Sequence, residues 1–165
     1  IDRALLKENV DIYITIDDID FMNNYENIKN LSQNYTIENA IADRCFVIIT
    51  NPASNIDVFD EFIDNINNNK DAEIRIVSQL STIENSLLIY DIKYSNLNNK
   101  YYVCKDSSRS TMSSESYNYF EFDSFEKEDL TDSIFREPQK ISSYQFYNNE
   151  FPETNIKIQF YNTEY

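Results

Sequence analysis

Lys105, Asp106 and Arg109 crowd into one short stretch, "CKDSSRSTMSSES" (104–116), in which hydroxyls fill most of the other positions. Such a set can hold an anion: Lys105 or Arg109 supplies charge and donors, and Asp106 orients them. A Ser–Lys nucleophile uses the same residue types, but it needs a desolvated lysine, which a polar loop does not supply. The competing structural reading is a mobile Ser-rich loop whose Arg109 ties back to a neighbouring carboxylate. The residue types favour that structural reading.

Most other mechanisms fall by inspection. The 165-residue chain contains no Gly, no His and no Trp. Without His there is no Ser-His-Asp or Cys-His pair and no His-containing zinc site. Without Gly there is no P-loop, Rossmann fingerprint or nucleophile elbow. Cys45 and Cys104 stand too far apart for a Cys-x-x-Cys redox pair and are expected to be buried, reduced thiols. Carboxylates remain, but with 29 acidic residues a pair chosen by spacing carries no information. "DIDFMNNYE" (18–26) offers Asp18, Asp20, Asn23, Asn24 and Glu26 as oxygen ligands. An EF-hand loop counted from Asp18 would need Gly and Glu where this chain has Asn23 and Lys29. The sequence therefore assigns no catalytic residue, metal site or cofactor.

Composition bears on partners instead. Lys plus Arg is 14 against 29 Asp plus Glu, a net charge of −15. That field repels nucleic acid and anionic membranes and favours basic partners, a basic protein among them, or cations. The plainer reading, which composition favours, is solubility alone. No apolar run reaches the roughly 18–20 residues of a membrane span. Tyr144, Phe146, Tyr147 and Phe151 fall in an irregular region and are the aromatic candidates for a partner-binding patch. Nothing sets the oligomeric state.

These residues need elements to position them. Ile56, Phe59, Ile63 and Ile66, widened by Phe62, predict an amphipathic helix over 55–67, begun by Ser54 or Asn55 and stopped at Asn67–Asn69. A shorter helix is expected from Thr36 to Asp43. "CFVIIT" (45–50) reads as a central buried strand. Phe59, Ile63 and Ile66 are expected to pack beside its Val47 and Ile49. Further strands are expected at 73–80, 87–94, 100–105, 117–122 and 156–161. Residues 124–155, with Pro138 and Pro152, read as loops with a short helix near Leu130–Phe135. Asn takes the turn positions that Gly would fill elsewhere, being the next best residue for left-handed backbone.

"RALLKENVDIYIT" (3–15) aligns without gaps on "ENAIADRCFVIIT" (38–50). Residues 1–34 are accordingly set apart as an N-terminal segment, read either as a partial repeat packed on the main domain (35–165) or as chance likeness between Asn/Ile-rich segments.

From Tyr35 to Arg109 the chain resembles a domain-of-unknown-function family found in small secreted or lipid-anchored proteins of low-GC Gram-positive bacteria. The resemblance rests on "YTIENAI" and the apolar strand after it, then "FDEFIDNI", "EIRIV", "TIEN", and "YDIKY" followed by "KDSSR". Where that family has Asn-Gly or Asp-Gly this chain has "ADRCFV", and its Arg-Asp pair is Arg109-Ser110 here. The resemblance implies an α+β domain and a secreted or lipid-anchored location; it transfers no activity.

The expected fold is α+β, a mainly antiparallel sheet of five to seven strands packed on two or three helices. The expected function is a non-enzymatic binding domain at the cell surface or secreted. The alternative is an acidic inhibitor or immunity-type protein that covers a basic site on a toxin or nuclease. An unrecognised carboxylate hydrolase ranks third.

Overall fold

The computed structural model describes residues 22–49, 52–79, 86–109, 117–132 and 139–161. Its elements are α1 (Ile37–Ala42), β1 (Phe46–Val47), α2 (Ile56–Asn67), β2 (Ala72–Gln79), β3 (Leu87–Ser95), β4 (Lys100–Asp106), β5 (Tyr117–Phe122), β6 (Ser124–Asp132), β7 (Gln139–Tyr147) and β8 (Ile156–Tyr161). Two sheets result, β1-β2-β3-β4-β5 and β6-β7-β8. Only β1–β2 is parallel, with α2 as the crossover; every other pairing is antiparallel. Asp123 alone separates β5 from β6, and its N–H donates to Tyr147 O at 2.8 Å. The chain thus turns from one sheet into the other within one residue.

This corrects the expected fold class. Among the described residues the protein is mostly β, with eight strands in two sheets and one helix longer than six residues. The strands missed were β6 and β7. Among the described side chains of "SFEKEDLTD", Phe125 packs on the core while Glu126, Lys127 and Glu128 are exposed, and a stretch so rich in charge shows no apolar alternation. In β7 the buried Ser142 and Ser143 interrupt the apolar pattern in the same way. Residues 130–132 of the expected short helix are strand, and 133–135 lie outside the described residues. The first copy of the proposed repeat, "TIEN" and residues 18–21 of the EF-hand-like stretch also lie outside them.

Both helices end without glycine by the same device. At α2, Lys70 N–H reaches Asn65 O and Asn69 N–H reaches Ile66 O, both 2.9 Å, around Asn69 at φ 52°. This is a Schellman ending with Asn in the left-handed position. At α1, Cys45 N–H reaches Ala40 O (2.9 Å) and Arg44 N–H reaches Ile41 O (3.2 Å), with Arg44 at φ 61°. Arg44 occupies the place where the resembled family has Gly, and Asn99 (φ 57°) closes the β3–β4 turn. Asn55 begins α2, also in left-handed backbone, but makes no side-chain cap. Its amide instead donates to Ile41 O (3.0 Å) and Cys45 O (2.8 Å), fastening α2 to the end of α1.

The five-stranded sheet buries both faces. One face meets α2 and the second sheet: Phe46, Ile74, Ile76, Ile92 and Val103 pack with Phe59, Phe62, Phe146 and Phe160. Phe59 stacks on Phe46 with ring centroids 4.6 Å apart, and half-buried Ile63 and Ile66 join the same cluster. Val47 and Ile49 belong to the opposite face. The expectation that they meet Phe59 is therefore off by one residue. A run apolar on both sides does not say which side receives the helix.

Candidate functional site

The second face of the five-stranded sheet carries the buried charge. Strand alternation places Glu73, Arg75 and Val77 of β2 on one side, with Ile89 and Asp91 of β3 and Cys104 and Asp106 of β4. Arg75, Asp91 and Cys104 stand in register across three strands, as do Val77, Ile89 and Asp106. Arg75 and Asp91 are each 1% exposed and Asp106 is 0%. Arg75 Nε donates to Asp91 Oδ1 at 2.6 Å and Nη2 donates to Oδ2 at 2.8 Å. Burying two ions costs several kcal/mol each, which only such two-point geometry and further hydrogen bonds offset. Burial alone would lower the Arg75 pKa, but the adjoining Asp91 carboxylate outweighs it and holds the guanidinium charged. Burial pushes Asp91 upward against the pull of Arg75.

Each buried cation also grips the segment that crosses this face. Residues 22–32 run over the sheet with Met22, Ile28 and Leu31 buried beneath them. Arg75 Nη2 donates to Glu26 O at 2.6 Å, and the Tyr25 ring lies 5.1 Å from the guanidinium carbon. Arg109, whose side chain is 4% exposed, pairs with Asp106 and sends Nη2 to Leu31 O (3.0 Å) and Ser32 O (3.1 Å). Glu73 accepts the N–H groups of Asn23 (3.0 Å) and Asn24 (2.5 Å). Lys29 Nζ lies 5.5 Å and 5.9 Å from the Tyr117 and Tyr119 ring centres. The body therefore reads this segment by its main chain, through one carboxylate and two guanidiniums. The Ser108 hydroxyl and Arg109 Nε are buried without a partner. A cleft of about 400 Å³ opens beside the start of the segment, flanked by Tyr25, Arg44, Glu61, Asp71, Glu73 and Lys93.

The thiols below are poorly placed for chemistry. Cys45 and Cys104 are free and buried, and burial pushes them up to about 11 and about 12. A thiol so raised carries little thiolate at neutral pH. Tyr35 donates to Asp43 Oδ2 at 2.8 Å, with its oxygen 3.6 Å from Cys45 Sγ; desolvation, chiefly, raises its pKa.

Of the anion-loop residues, Asp106 and Arg109 come together, but Lys105 does not. Strand alternation turns it to the other face of β4, where it is half-buried. The Asp106 carboxylate also accepts Ser108 N–H at 2.8 Å. Arg109 thus ties back to a neighbouring carboxylate, as the structural reading expected, and is a buried clamp; residues 110–116 of the Ser-rich stretch lie outside the described residues. The aromatic patch needs correcting too. Tyr144 and Phe146 are core residues of β7, 8% and 0% exposed, because β7 is a strand whose alternate positions face the first sheet. Tyr147 is half-buried, and Phe151 is 53% exposed.

The residues that sequence reasoning missed are Glu73, Arg75 and Asp91. Their signal was charge set inside apolar strands, Arg75 between Ile74 and Ile76 in "EIRIV" and Asp91 between Tyr90 and Ile92 in "YDIKY", with opposite signs in adjacent strands. Lone charges amid buried neighbours must pair, and adjacent antiparallel strands are where they can.

Among the described residues no three His, Cys, Asp or Glu side chains come together to hold a metal ion. No described helix is long and apolar enough to cross a membrane. No curated protein and no solved structure matches the chain. The family comparison does find a match, over residues 44–143, which take in all of β2 to β5 and the Glu73, Arg75, Asp91, Asp106 and Arg109 side chains. With more than half its length matched, the chain belongs to the domain-of-unknown-function family DUF4362.

Proposed function

We propose that this protein is a non-enzymatic binding domain that acts at the cell surface or after secretion on a protein with a basic surface. The observation that carries the reading is the outer face of α2. Asp57, Asp60, Glu61 and Asp64 are all exposed there, with exposed Asp71 just beyond the helix, on a chain of net charge −15. Two cations adjoin this ridge: Arg44, which pairs with Asp57 at 2.5 Å, and exposed Lys70 beside Asp71. A rigid helix presenting carboxylates in successive turns attracts a basic partner over distances comparable to the Debye length, about 8 Å at physiological ionic strength. The raised thiols and the engagement of Arg75 and Arg109 in clamp contacts support a binding role over a catalytic one. The surface or secreted location rests on the family resemblance. The same acidic ridge suits the alternative, an inhibitor or immunity-type protein whose partner is a basic toxin or nuclease.

The test is affinity capture from supernatant, surface and cytosolic fractions of native cells at two salt concentrations. The wild-type chain is compared with one carrying Asp57→Asn, Asp60→Asn, Glu61→Gln and Asp64→Asn. A basic protein retained at low salt, released at high salt and not retained by the variant is the expected result. Identical capture by both chains, or capture indifferent to salt, would rule the reading out.

A further inference from the structure

We propose that the clamped face of the five-stranded sheet is a peptide-binding site, filled in cis by residues 22–32 and able to receive the same segment from a second copy. The inference is independent of the acidic ridge on α2 and concerns a different surface.

Four observations carry it. First, the segment joins no strand ladder among the described residues; its three charged contacts are between body side chains and its own main chain. Second, the donors are preformed. Asp91 orients Arg75 and Asp106 pairs with Arg109, and each carboxylate belongs to the body rather than to the segment. Each guanidinium therefore keeps a fixed Nη2 aimed outward whether or not the segment is seated. Third, Ile28 and Leu31 supply apolar anchors in the cluster of Val47, Val77, Ile89 and Cys104, while the main chain makes the charged contacts, a division between specificity and affinity common in peptide recognition. Fourth, every clamp side chain falls within the family-matched residues 44–143, and the whole segment lies before them.

The ligand class follows from the contacts. It is a peptide that presents two successive N–H groups to Glu73, one carbonyl to Arg75 two residues later and, after a single 3-10 turn at Ile28–Asn30, two successive carbonyls to Arg109 five residues beyond that. Apolar residues occupy the positions of Met22, Ile28 and Leu31, and a cation at the position of Lys29 meets the Tyr117 and Tyr119 rings. Residues 22–32 of another copy meet this description by identity. The exposed turn at Ser32–Asn34, closed by a Tyr35 N–H to Ser32 O bond of 3.0 Å, is the hinge about which the segment would be handed over.

Two measurements on the full chain test this. In the first, a protease site is inserted between Gln33 and Asn34, the folded protein is nicked, and a fluorescent peptide of residues 22–33 is added. The nicked protein should keep its near-ultraviolet circular dichroism and take up the peptide one to one, while the uncut protein does not. Peptide carrying Ile28→Asp and Leu31→Asp should bind at least about a hundredfold less well, and Arg109→Lys in the body should weaken uptake about tenfold. Unfolding on nicking, or no exchange of the resident segment, overturns the proposal. In the second, Gln33 and Asn34 are deleted so that the segment cannot double back in cis. A soluble, folded dimer is the expected product; a folded monomer or an aggregate overturns supply from a second copy.

Discussion

Arg75 and Asp91 face each other across β2 and β3, and their side chains close a two-point ion pair from which water is excluded. The pair joins two strands, and the same Arg75 nitrogen reaches the Glu26 carbonyl of the overlying segment. One side chain therefore fixes both a sheet register and the cover on that sheet.

Arg75→Met should lower stability by about 3–5 kcal/mol, because it leaves Asp91 charged and unpaired in the interior. Adding Asp91→Leu should recover most of that loss, since an apolar pair of similar volume removes the buried charge altogether. Urea denaturation of the two variants and the parent decides it. A double variant no more stable than Arg75→Met would show that the pair is worth more than its own desolvation.

Arg44→Gly should raise Tm by about 2–4 °C. Arg44 ends α1 at φ 61°, a backbone region that penalises every side chain with a Cβ. The exposed ion pair to Asp57 that is lost in exchange contributes little. Arg44→Val should lower Tm, because a β-branched side chain tolerates this region worst. Thermal melts of the three proteins at one concentration give the order.

Alkali should unfold the protein in a defined window. Burial raises Tyr25, Tyr90 and Tyr101 to about 12, Cys104 to about 12 and Cys45 to about 11. Each folded value lies above the unfolded one, so the folded state holds these protons longer. The stability they contribute is complete below their unfolded values, roughly pH 8.5 for Cys and 10 for Tyr, and is lost as pH rises towards 11–12. Urea midpoints should fall across that range. The phenolate absorbance that Tyr25, Tyr90 and Tyr101 contribute, read by difference against their Phe variants, and the reaction of both thiols with Ellman's reagent should rise together with unfolding, not before it. Fast thiol reaction with native protein at pH 8 would contradict the burial of Cys45 and Cys104.

The regular parts of this fold were legible where burial is one-sided or the period is clear. The stripe of α2 and the β3–β4 hairpin both declare themselves, the latter because Tyr90, Ile92 and Tyr94 alternate with Asp91 and Lys93. The Asn residues at 69 and 99 marked left-handed backbone, whereas Asn55 was expected as a cap and Arg44 gave a clue only through its departure from the resembled family. β6 and β7 escaped because "SFEKEDLTD" is mostly polar and the buried Ser142 and Ser143 break the apolar pattern of β7, so neither sets a period. Asp106 and Arg109 could be seen as partners three positions apart. Their role as a clamp could not, since the carbonyls of Leu31 and Ser32 lie more than seventy residues away in the chain and main-chain acceptors leave no mark in a sequence.

Asp123 joins the two sheets more tightly than any loop could. It is the corner of one long strand whose first half pairs with β4 and whose second half pairs with β7, and its carboxylate takes Lys100 Nζ at 2.5 Å and Asn149 N–H at 2.9 Å. A three-stranded sheet hung on a flexible connection could peel away and leave the larger sheet standing. Here, releasing β6 pulls on β5 and opens the aromatic interior shared by Phe122, Phe125 and Phe146. The two sheets stand or fall as one, and a protease finds either every strand of both open to it or none.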